Sequence, residues 1–136
     1  MMKKVVFVCI ENSARSQMAE AFAKHYGDGK VEAVSAGTMP TEKVNPLAVQ
    51  VMREKGIDIS KNKPKAIEYK DIENADIIIT MGCGAEGFCP ASFLERVLDW
   101  KIEDPKGKTV EEVRKIRDEI EMKVKKLLDD LDRKVD

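Results

Sequence analysis

The chain has no excess of either charge: 24 Lys and Arg stand against 25 Asp and Glu over 136 residues, a net of −1. That excludes binding to nucleic acid or to an anionic membrane through bulk charge. It has no long apolar run either. The start, Met1-Met2-Lys3-Lys4-Val5, sets a basic pair before a stretch too brief for a signal or spanning segment. The resulting expectations are no nucleic acid, no membrane and a cytoplasmic location. Histidine occurs once, at His25 late in a helical run, which argues against a Cys–His catalytic pair. Cysteine occurs three times, an odd number that excludes a fully paired framework. In a cytosolic chain such cysteines read as chemistry rather than staples. No repeat, low-complexity tract or linker divides the sequence, so residues 1–136 read as one domain with room for a real core.

What is present gathers near the start. Residues 5–8, Val-Val-Phe-Val, read as a short strand buried on both faces. Cys9 closes it. Ile10, Glu11, Asn12, Ser13 and Ala14 follow, then Arg15, Ser16 and a helical run over 17–24. A loop curling into a helix start turns backbone N–H groups towards one point, where the helix dipole adds positive charge. Arg15 supplies a planar fork of donors suited to an oxyanion. The same field stabilises a thiolate, so Cys9 is expected to be nucleophilic near neutral pH. Ser13 and Ser16 are candidate donors to the sulfur or to the anion. The loop has no Gly between Cys9 and Arg15 and no Gly-Lys-Ser/Thr, so it is not a nucleotide cradle of the Walker type. A buried structural cysteine beside an unrelated arginine is the plainer alternative.

The rest of the chain alternates strands and helices. Strands are expected over 31–36, 77–81 and 97–100, an extended stretch over 57–60, and a helix over 45–56 with Asn45 as cap, Pro46 in its first turn and Gly56 behind it. Residues 61–65 make a basic loop, read either as solvated or as an anion-attracting surface. Residues 82–90 hold three Gly, Cys83 and Cys89. Thr109 and Glu112 form a capping box before a long helix whose stripe is Val110, Val113, Ile116, Ile120, Val124, Leu127, Leu128 and Leu131. Alternation of this kind implies an α/β fold with a parallel sheet and right-handed crossovers. Ligands bind such sheets beyond the carboxyl ends of the strands. Cys9, Cys83 and the turn at Asp104-Pro105 each follow a strand and so share that edge. Asp104, held beside a bound oxyanion, is a candidate general acid, or simply an Asp that starts a turn.

The run from Val8 to Glu20 resembles the phosphate loop of the low-molecular-weight protein tyrosine phosphatases and of the arsenate reductases built on their fold. The resemblance implies a three-layer αβα domain with a four-stranded sheet ordered 2-1-3-4, and Asp104 as general acid. Phosphatases of this kind carry tyrosines after the Asp-Pro; here Lys106-Gly107-Lys108 follows, and Trp100 matches the Trp-x-x-x-Asp-Pro stretch of the reductases. With Cys83 and Cys89, the chain is similar to thioredoxin-coupled arsenate reductases over nearly its whole length. By that likeness residues 10–16 hold arsenate, Cys9 attacks it, Cys83 attacks the Cys9 sulfur to release arsenite, and Cys89 takes over in a Cys83–Cys89 disulfide. Phosphate or sulfate would compete, and thioredoxin or a similar thiol would be the reductant; no cofactor is implied. The spacing of the last two cysteines is one residue shorter than in that family. Some members hold potassium with residues matching Asn12, Glu20 and Ser35; Lys65 stands where their fourth, acidic ligand would be, and its ammonium is expected to replace the ion at Glu20. Three other readings stay open: a phosphatase with redox-active cysteines, a metal module of three thiols and His25, and a non-catalytic anion binder.

Overall fold

The computed structural model describes residues 2–81 and 97–134; Cys83 and Cys89 lie outside the described residues. Its first element, strand β1 (Lys3–Cys9), holds the centre of the sheet because Val5, Val6, Phe7 and Val8 are apolar on both faces. Fully burying each such side chain contributes about 1.5–3 kcal/mol, a gain available only where both faces are covered. Around it run helix α1 (Arg15–Tyr26), β2 (Val31–Gly37), α2 (Pro46–Arg53), α3 (Tyr69–Asn74), β3 (Ile77–Thr80), β4 (Val97–Asp99) and α4 (Val110–Lys134). The strands are all parallel in the order β2-β1-β3-β4.

Alternation along the strands sorts the core into two layers. Val5, Phe7, Cys9, Ile79 and Met81 face α1, α2 and α4, through Met18, Phe22, Met52 and the α4 stripe. Val6, Val8 and Ile78 face the other way, onto Ile72 and Ala75 at α3. The result is the three-layer αβα arrangement. Seven of the eight stripe residues of α4, Val113 to Leu131, are buried, and Val110 packs at the margin. The capping box forms as read: Glu112 N donates to Thr109 Oγ1 at 3.2 Å and Thr109 N to Glu112 Oε1 at 3.3 Å. Asn45 caps α2 through Leu47 N at 2.8 Å.

Residues 57–60 join no strand, and Ile59 plugs the core, 1% exposed. The six-residue α3 carries no periodic apolar signal, burying only Asp71 and Ile72, and the sequence does not announce it.

Candidate active site

The loop from Cys9 to Ser16 is shaped from outside. A strap at residues 38–45 takes its carbonyls one after another: Thr38 N donates to Cys9 O (3.2 Å), Met39 N to Ile10 O (2.7 Å), Thr41 N to Glu11 O (3.1 Å) and Asn45 N to Ser13 O (2.7 Å). In a trans peptide the next N–H points opposite to each C=O. The amides of Ile10, Glu11, Asn12 and Ala14 therefore turn inward. Asn12 N already donates to the Cys9 sulfur at 3.2 Å, as this geometry requires. Gly37 lets strap and loop approach this closely, since a Cβ there would meet Ile10 O at 2.5 Å. Asn12 makes the turn with φ +52°, a left-handed conformation that Asn tolerates better than most residues.

Cys9 is buried, 2% exposed, and its sulfur lies 2.8 Å from Ser16 Oγ. Ser13, the other candidate donor, turns away and bonds the Glu11 carboxylate at 3.3 Å. Above the sulfur is a cavity of about 50 Å³ lined by the loop from Cys9 to Arg15, Asn12 excepted, and by Asp104. At about 10–15 Å³ per water-sized group, it holds one tetrahedral anion. Neither an acidic residue in the first turn nor a capping side chain at Ala14 competes for the start of α1.

Arg15 is the first residue of α1 and is buried. Its Nη1 donates to Met81 O at 2.8 Å and Ile102 O at 2.9 Å, just past β3 and β4. That fixes the plane of the guanidinium and leaves Nη2 towards the cavity, 4.0 Å from Asp104 Oδ2. Asp104 is at the mouth, its side chain 57% exposed, and its Oδ1 accepts Lys106 N at 3.0 Å. Lys106 Nζ in turn reaches Glu11 at 3.3 Å, closing a bridge from this turn to the loop. The structure thus brings Cys9, Arg15 and Asp104 together on one sheet edge.

Beneath the loop, Asn12 is fully buried and uses its whole side-chain amide. Nδ2 donates to Ser16 Oγ (2.8 Å) and Ser35 Oγ (3.0 Å); Oδ1 accepts from Gln17 Nε2 (3.1 Å) and Lys65 N (2.9 Å). Ser35 donates to Glu20, whose other oxygen carries Lys24 Nζ at 2.6 Å. This donor set does not fit potassium. Asn12 Oδ1 is already filled, the Glu20 charge is met by an ammonium, and the fourth position offers a lysine. The expectation for Lys65 needs correction as well. The ammonium on Glu20 belongs to Lys24, one turn on in α1, while Lys65 supports Asn12 through its backbone N–H. Gly37, Gln17 and Asn62 are supporting residues that sequence reasoning missed; only the Gly that ends a strand beside the loop gave any signal.

Comparison with known proteins adds the following. The low molecular weight phosphotyrosine protein phosphatase family model matches residues 4–136. A glutaredoxin arsenate reductase from Synechocystis is 40% identical over 130 residues, covering 93% of this chain and 97% of that protein. Among solved structures, an arsenate reductase in its phosphate-binding state superposes with a TM-score of 0.86 at 39% identity, over 96% of this chain and 99% of the other. An arginine phosphatase from Geobacillus stearothermophilus superposes with a TM-score of 0.87 at 27% identity, over 97% and 94%.

Proposed function

The chain belongs to the low molecular weight phosphotyrosine protein phosphatase family, and we propose that its cradle serves arsenate reduction. The observation that carries this is the Cys9 sulfur on the floor of a cavity sized for one tetrahedral oxyanion, beneath Arg15 and beside Asp104. Relatives at about 40% identity that are named arsenate reductases support the choice of substrate.

In this reading the Cys9 thiolate attacks arsenic and an As–O bond breaks, the departing oxygen taking a proton from Asp104 and leaving as water. The loop amides and Arg15 hold the remaining oxygens as charge moves onto them. Cys83 then attacks the Cys9 sulfur. The S–As electron pair stays on arsenic, which leaves as arsenite, and a Cys9–Cys83 disulfide forms. Cys89 attacks Cys83, freeing Cys9 and closing Cys83–Cys89, which an external dithiol of the thioredoxin or glutaredoxin kind reduces. Two thiols are oxidised for each arsenic reduced, so the electrons balance. Three working thiols suit the reducing cytoplasm; among the described residues no helix is long and apolar enough to cross a membrane. Phosphate and sulfate compete for the cradle, and a phosphate monoester would be hydrolysed slowly by Cys9, Asp104 and water, without the other two thiols.

The test is non-reducing mass mapping after one equivalent of arsenate. Cys89→Ser should complete one turnover and stall with a Cys9–Cys83 bond. Cys83→Ser should release no arsenite yet still hydrolyse an aryl phosphate, and Cys9→Ser should do neither. Repeated arsenate turnover by Cys83→Ser, or a stalled Cys89→Ser protein without that bond, would overturn the relay, and aryl phosphate hydrolysis by a parent that releases no arsenite and oxidises no thiol would leave a phosphatase as the better reading.

A further inference from the structure

We propose that Gln17 and Asn62 are positioning residues for the Cys9 thiolate, setting the direction of a hydrogen-bond chain that ends on its sulfur. The inference rests on Cys9 being the nucleophile. The chain has one link whose sense cannot reverse. Lys65 N, a backbone donor, bonds Asn12 Oδ1 at 2.9 Å, so Oδ1 faces residue 65 and Nδ2 faces the other way. Nδ2 then donates to Ser16 Oγ and to Ser35 Oγ. A serine hydroxyl has a single proton to give. Ser35 gives its proton to Glu20. Ser16, its oxygen already accepting from Asn12, gives its own to the Cys9 sulfur 2.8 Å away, where it favours S⁻ over SH.

Lys65 N satisfies only one of the two lone pairs on Asn12 Oδ1. Gln17 Nε2 fills the other at 3.1 Å. It does so only while the Gln17 amide keeps that face, and Asn62 Nδ2, donating to Gln17 Oε1 at 3.1 Å, holds it there. Asn12 and Gln17 are 0% and 3% exposed, so their amides are oriented by these protein partners, whereas Asn62 is exposed. A surface amide 45 positions along the chain from Gln17 is thereby coupled to the sulfur through three side chains. The charged groups facing Cys9 among the described residues are Arg15, Glu11 and Asp104, with Lys106 on Glu11. None of them belongs to this chain of amides.

The experiment uses the full chain with Cys83→Ser and Cys89→Ser, so that Cys9 is the sole thiol, and follows the rate of iodoacetamide alkylation against pH beside a thermal melt. Asn62→Asp presents oxygens that attract Gln17 Nε2, turning Oε1 against Asn12 Oδ1. Gln17→Glu places an oxygen there directly. In both, the midpoint of the alkylation profile should rise by about one pH unit, the weight of one hydrogen bond to an ionised group. Gln17→Met, which removes the donor without adding an opposed oxygen, should shift it less. Lys61→Met, an exposed neighbour carrying the same change of net charge as Asn62→Asp, should not shift it. Unchanged midpoints in Asn62→Asp and Gln17→Glu overturn the proposal, as does a melt that drops while the profile stays put. A shift in Lys61→Met equal to that in Asn62→Asp also overturns it, since bulk charge would then suffice. Neither arsenate nor reductant enters the assay, so the reductase reading stands or falls separately. A parent protein whose Cys9 does not react at neutral pH overturns both.

Discussion

Arg15→Lys separates what the guanidinium does for the fold from what it does for the anion. Arg15 Nη1 satisfies two carbonyls, Met81 O and Ile102 O, on residues 0% and 3% exposed, and Nη2 remains for the cavity. An ammonium is one nitrogen and cannot sit at both places. If it stays with the carbonyls, the anion loses a charge-assisted partner worth about 1.5–3 kcal/mol, weakening binding about 10- to 100-fold. If it moves to the anion, two buried carbonyls lose their donor at about 1–3 kcal/mol each, and the fold loses about 2–6 kcal/mol.

Urea unfolding with and without phosphate measures both losses in one titration. At a phosphate concentration 100 times its dissociation constant, the parent gains about 2.7 kcal/mol from binding. A variant bound 100-fold more weakly gains only about 0.4 kcal/mol at the same concentration. The expected outcome is a lower stability without phosphate, a smaller gain with it, or a division between the two. A variant within about 0.5 kcal/mol of the parent in both would refute the reasoning, because that is the scatter of an inconsequential surface substitution.

Asp104→Asn should slow the arsenate step and aryl phosphate hydrolysis together by about 10²–10⁴-fold. Cys9 should meanwhile alkylate at close to the parent rate; if alkylation falls equally, Asp104 is organising the loop rather than donating a proton. A second titration concerns Glu54, whose carboxylate is held below its ordinary value by hydrogen bonds from Arg114 and then from Arg117. Because its folded value is the depressed one, its stabilising contribution is complete above the ordinary carboxylate value of 4.5 and is lost as pH falls through the folded value. Acid unfolding of Glu54→Gln should therefore be shallower than that of the parent in this window, and superimposable acid limbs would count against the link.

How much of this was legible depends on whether a signal resides in side chains or in backbone. The β1 run, the Asn45 cap, the Thr109 and Glu112 box and the α4 stripe are side-chain signals, and each formed where it was read. The anion loop was legible because Cys9, Arg15 and Asp104 carry their chemistry in their residue types. The strap at 38–45 was not, because it shapes the loop through backbone N–H groups that any residue but Pro possesses. Lys65 misled for the same reason: its ammonium drew the expectation, and its backbone amide does the supporting. The placement of Ile59 was not legible either, because residues 57–60 join no strand and only tertiary packing puts that side chain in the core.

The site also explains why selectivity has to come after binding. A cradle of inward amides and one planar guanidinium reads four oxygens around a centre and a double negative charge, features that arsenate and phosphate share. Among the described residues that line it, the Cys9 sulfur is the group placed to meet the central atom. Both oxyanions should therefore occupy it, with phosphate as a competitor. In the proposed reaction the difference enters at the covalent adduct. When a second thiolate attacks the Cys9 sulfur, the bond pair must be accepted by the departing centre. Arsenic(V) takes it and leaves as arsenic(III), whereas phosphorus(V) does not, and a Cys9–phosphate adduct waits for water. On this argument no loop substitution should improve arsenate over phosphate binding by much, while loss of Cys83 should abolish reduction and leave hydrolysis. Discrimination then lies in the order of the thiols rather than in the shape of the cradle.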